Sequence, residues 1–132
     1  MSTNEALEWP VVAAQAAWSK QGTDPVILDV GDVLSITDQF VIVSGANTRQ
    51  VRTIAEEVER QITDAGGPKP LRSEGLDDLR WVLLDYGAFV VHVFLQEARE
   101  YYELERLWSD VPRIDFQASI QAATTGSNSA GL

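Results

Sequence analysis

A chain of 132 residues is the length of one domain, able to bury about 65–70% of the surface its unfolded form exposes. It has no cysteine and one histidine, His92, which excludes a disulfide framework, a thiolate nucleophile, Cys-based zinc sites and multi-His metal sites. Twenty Asp and Glu against ten Lys and Arg leave a formal charge of −10, a field that disfavours sequence-independent nucleic-acid binding and favours a basic protein partner.

From the N-terminus, the first five residues lack a basic stretch followed by an apolar one, and no run approaches the roughly 20 apolar residues of a membrane helix. The expectation is a soluble, cytoplasmic protein with no membrane partner. Leu7, Val11, Ala14 and Trp18 share one stripe of a helix ending near Gly22, with Pro10 either bending it or marking its start. Trp9 projects away from that stripe, as a partly covered surface aromatic or a self-association contact. Residues 25–30 form a short apolar strand, Ile36-Thr37-Asp38 a turn, and residues 40–44 a second strand ending at Gly45.

Asn47 and Gln50 resemble a capping box ahead of a helix that carries Val51, Ile54, Ala55, Val58 and Ile62 on one face. Gly66-Gly67-Pro68 stops it. Residues 69–75 read as loop with at most a brief edge strand, because two prolines remove ladder donors. Residues 80–85 and 88–95 form an antiparallel hairpin about Tyr86-Gly87, and a last helix starts near Glu97 with Tyr101, Leu104 and Trp108 on one stripe. The order α-β-β-α-β-β-α predicts an α/β (α+β) fold, a mixed sheet with packed helices. Residues 1–112 make the domain. Residues 113–132, with the small, polar run at 123–131, read as a flexible C-terminal tail.

A two-residue turn pairs Asp85 with Ala88, Leu83 with Val90 and Trp81 with His92, and opposed residues share a face. One hairpin face is then wholly apolar: Val82, Leu84, Phe89, Val91, Val93 and Leu95. It can be dehydrated without stranding a donor, so it supplies the core. The other carries Trp81, Leu83, Asp85, Ala88, Val90, His92 and Phe94, and is read either as a docking surface or as a face covered by another helix of the same chain. In the first case Trp81 and Phe94 are aromatic anchors and Asp85 presents charge to a Lys or Arg. Face membership depends on turn length, because an odd loop reverses the parity.

Glu56, Glu57 and Glu59, and the run from Glu97 to Glu105, read as solvated helix faces, with Arg99 unpaired on its own face. Tyr102 lies off the last helix's stripe, extending the docking surface or covering a strand edge. An alternative, a metal-dependent nucleotidyltransferase-like enzyme, rests on Asp29, Asp32, Asp38 and Asp85 near strand ends and on Ser44-Gly45. Against it, the spacing of Asp29 and Asp32 is wrong for one strand face, and Asp77 and Asp78 are adjacent. No phosphate-binding glycine loop, nucleophile elbow or zinc-protease motif occurs. A third reading, a generic dimeric scaffold, rests on Trp9 and the apolar face.

Residues 37–45 (TDQFVIVSG), Glu74-Gly75, residues 81–87 (WVLLDYG), 90–94 (VVHVF) and 99–108 (REYYELERLW), in this order and at these separations, resemble the ribosomal silencing factor (Iojap) family. The resemblance implies a nucleotidyltransferase-like fold without the transferase's acids, hence no catalytic or metal-ligating residue and no cofactor. It implies binding to a basic large-subunit ribosomal protein at the intersubunit face of the large ribosomal subunit. The bound factor sterically blocks joining of the subunits and represses translation under nutrient limitation. It also implies a homodimer when free and no direct sequence-specific nucleic-acid binding. Partner binding is carried to Trp81, Leu83, Asp85, Tyr86, His92 and Phe94, and to Tyr101 and Tyr102. Gln39, Pro10 and the stretch after Asp115 depart from the family pattern.

Overall fold

Pro10 is the second residue of α1 (Trp9–Ser19), and the helix runs on from it to Ser19. Residues 9–114 are described by the computed structural model; Leu7 lies outside them. The expected stripe of α1 is displaced: Ala13, Ala14, Ala16 and Ala17 are fully buried, while Trp18 is half exposed. Alanine is small enough for the helix to pack against both a second helix and the sheet, and this close approach, more than the size of the apolar groups, decides which side turns inward. Trp9 is half-buried against the core.

Strand β1 (Thr23–Asp29) runs antiparallel to β2 (Gln39–Gly45), with Ile27 opposite Val41 and Leu28 opposite Phe40. An irregularity between Thr23 and Val26 accommodates Pro25, with Asp24 in the left-handed region at φ 49°. Helix α2 (Thr48–Asp64) buries Val51, Ile54, Ala55, Val58 and Ile62 as its periodicity predicts, and Glu57 with them. Its cap does more than close the helix. Asn47 Oδ1 accepts from the Gln50 amide at 2.9 Å, Gln50 Oε1 accepts from the Ala46 amide, and Gln50 Nε2 donates to the carbonyls of Lys20 and Gln21. One glutamine thus ties the α1–β1 turn to the start of α2.

Strand β3 (Arg72–Glu74) is the brief, exposed edge strand the sequence allowed, antiparallel to β4 (Trp81–Asp85). Strand β5 (Phe89–Leu95) completes the hairpin, but Asp85 faces Val90 and Trp81 faces Phe94, a register two residues away from the expected one. The Tyr86 amide donates to the Phe89 carbonyl at 2.9 Å, so the reversal is centred on Gly87 (φ 86°) and Ala88. A shift of two preserves parity, and the two faces keep their predicted members. Strand β5 lies parallel to β2, giving the sheet order β3-β4-β5-β2-β1-β6.

The predicted last helix is two: α3 (Gln96–Tyr102) and α4 (Leu104–Leu107), broken where Glu103 adopts the left-handed conformation at φ 48°. Beyond it, β6 (Arg113–Ile114) pairs antiparallel with β1. Arg113 and Ile114 are therefore sheet residues and not the start of a tail; residues 115–132 lie outside the described residues. The mixed α+β class stands. Helices α1 and α2 cover one face of the sheet, above Val82, Leu84, Val91 and Val93, all fully buried.

Candidate partner-binding face

The opposite face is unevenly covered. Helix α3 and the segment around Trp108 lie over one part of it, where Phe94, Ile42 and Leu28 are fully buried. Trp81 bridges the covered and open parts: its ring sits 4.7 Å from Phe94 and 5.0 Å from Tyr102, and its Nε1 donates to His92 Nδ1 at 3.1 Å. His92 meets the edge of Phe40 at 4.7 Å, and Phe40 in turn meets Trp108. Trp81, Leu83, Asp85 and Val90 remain half-buried.

His92 is 4% exposed, so it is a buried imidazole rather than a polar tip offered to a partner. Burial holds its pKa down to about 4, which makes it neutral near pH 7. Because Nδ1 accepts the indole bond, the proton of the neutral ring is assigned to Nε2. That atom, like Thr37 Oγ1, finds no hydrogen-bond partner among the described residues. A buried group left so costs about 1–3 kcal/mol.

Two other predicted site residues are displaced from the open surface. Phe94 is fully buried, sealed by Trp81 and the chain that follows β5, and cannot serve as an exposed anchor. Tyr86 stacks on Phe89 at 4.6 Å and is 7% exposed; burial first, then the Glu59 charge on α2, raise its phenol above the usual range. Its ring therefore belongs to the α2 side. Tyr101 is strongly exposed and Tyr102 half exposed, edge to face at 5.0 Å. Tyr102 packs against the Trp81 ring on the sheet face.

Leu83, Asp85 and Val90 line a groove of about 390 Å³ between the hairpin and the loop at residues 31–38. Ile36, 83% exposed, and Leu71, 75% exposed, stand in its lining, and the buried Thr37 and His92 belong to the same lining. At one end the Asp85 carboxylate accepts from the Gly87 amide at 2.9 Å and faces the exposed Arg72 guanidinium at 3.4 Å. Sequence reasoning missed Ile36 and Leu71. Their signal was an apolar residue inside a turn and another between proline and arginine, where burial had no reason to be expected.

Arg99 was also missed. It is 7% exposed, grips Glu105 with two hydrogen bonds of 2.9 and 3.0 Å, and donates to the carbonyls of Thr23 and Asp24 and to Ser44 Oγ. Glu105, held below the usual carboxylate range first by that bond, is a partner and not part of a solvated face. The same holds for Glu57, whose pKa is lowered to about 2 by hydrogen bonds from Arg60 and then Gln61. Of the strand-end acids, Asp29 accepts from the Gly31 amide and Asp85 is engaged as above. Among the described residues, no group of three or more His, Asp or Glu is placed to hold a metal ion, and no helix is long and apolar enough to cross a membrane.

The groove is thus apolar along Ile36, Leu71 and Leu83, carries the Asp85–Arg72 pair at one end, and adjoins the half-covered aromatic cluster around Trp81. Residues 3–131 match the family described as ribosomal silencing factor during starvation, and the chain belongs to that family. The ribosomal silencing factor of Bacillus subtilis is 41% identical over 104 residues, covering 79% of this chain and 87% of that protein. The crystal structure of protein CV0518 from Chromobacterium violaceum is 34% identical with a TM-score of 0.74, over 78% of this chain and 85% of that one. A more distant mouse relative, named mitochondrial assembly of ribosomal large subunit protein 1, is 34% identical over 104 residues, 76% of this chain and 45% of that protein.

Proposed function

We propose that this chain docks on a basic protein of the large ribosomal subunit, at the intersubunit face, through the open part of its second sheet face. The bound domain occupies space the small subunit needs and so blocks joining, repressing translation under nutrient limitation. No bond is made or broken, and neither metal nor cofactor is required. The free protein is a cytoplasmic homodimer whose contact surface overlaps the ribosome-binding one.

The observation that carries this reading is the unequal cover of the sheet: Val82, Leu84, Val91 and Val93 are sealed on one side, while Leu83, Asp85 and Val90 stay half accessible on the other. Family membership and the mouse relative's name point to the large subunit. A standard interface buries about 1,600 Å² in total, within reach of the hairpin face, loop 31–38 and the edge of α3.

The test is sedimentation of mixed subunits. Saturating protein is expected to shift joined ribosomes to free subunits, and an unchanged profile rejects the proposal. Asp85→Lys, which reverses a charge on a side chain 24% exposed, is expected to require about tenfold more protein for the same shift, a larger effect than the stability it loses with the Gly87 bond and the Arg72 contact.

A further inference from the structure

We infer that the groove between the hairpin and loop 31–38 holds one segment of the basic partner, an aliphatic side chain seated between Ile36 and Leu71 with a neighbouring lysine or arginine on Asp85. This rests on the reading that the open face docks on a ribosomal protein, and names what it grips. Ile36 and Leu71 are 83% and 75% exposed, so two large aliphatic groups stand in water with the partly buried Leu83 beside them. Contact with one more aliphatic group removes all of these from water together.

The charge of the occupant follows from Asp85. Its only ion-pair partner among the described residues is Arg72, whose side chain is 66% exposed and also reaches toward Glu74. With Arg72 mostly in solvent and 3.4 Å from the carboxylate the pair is weak, so an incoming cation displaces Arg72 at small cost. The chain's charge of −10 favours such a cation.

The experiment is co-sedimentation of the full chain with purified large subunits, in three variants whose altered side chains are already exposed. Ile36→Ser and Leu71→Ser are each expected to weaken retention about tenfold, and Leu107→Ser, equally exposed on α4 but outside the groove, to leave it unchanged. Asp85→Asn is expected to weaken binding and flatten its dependence on salt. Unchanged retention of both serine variants, equal loss in all three, or an unaltered salt dependence for Asp85→Asn overturns the inference while leaving the docking reading intact. Rim variants that keep subunit binding but lose self-association assign the groove to a second copy and also overturn it. Failure of the wild type to bind subunits at all removes both.

Discussion

His92 shows how one residue's surroundings set its chemistry. In the unfolded chain its pKa is the ordinary 6.5; in the fold it is about 4 because the charged ring would be desolvated. As pH falls below 6.5 the unfolded chain takes up this proton first, so stability is lost progressively between pH 6.5 and 4, on the order of 3 kcal/mol in all. Glu57 contributes in the same direction over a lower window, from 4.5 down to about 2. Urea denaturation of wild type and His92→Gln across pH 7 to 2 is the check: the variant is expected to lose the upper slope and keep the lower one. At this scale the sequence placed His92, Trp81 and Asp85 correctly on one face, because strand alternation and an even turn between the two strands decide that. It did not reveal that the indole would bond the imidazole, since that bond depends on a register set by the turn.

The break between α3 and α4 belongs to the scale of elements. A continuous helix would carry Glu105 onward around the helix axis; instead the left-handed Glu103 turns the chain so that Glu105 returns to Arg99. Through the same guanidinium, α3 is fastened to the first residues of β1 and the end of β2. Arg99→Ala is expected to cost about 3 kcal/mol by urea denaturation, because Glu105 and two carbonyls lose their shared donor. Arg99→Lys recovers only part of this, since an ammonium cannot match the planar fork. Sequence periodicity saw Tyr101, Leu104 and Trp108 as one stripe. It missed the break because the groups that pull Arg99 inward lie 75 and 76 residues earlier in the chain. The α2 helix, by contrast, was legible from cap to stop, all of its signals being local.

For the molecule as a whole, charge and topology act separately. The −10 field acts at long range on the rate of encounter with a basic surface, so the association rate with large subunits is expected to fall steeply with added salt in stopped-flow measurements, and the dissociation rate much less. The charge, the element order up to the hairpin, the apolar core face and the family motifs were all present in the linear sequence, because each depends on composition or on periodicity within a single segment. Which helix side is buried, the parallel pairing of β2 with β5, the return of β6 to β1, the burial of Phe94 and the groove beside Ile36 were decided only in three dimensions. Each of these is a contact between distant segments, and a side chain's exposure depends on which distant segment arrives to cover it.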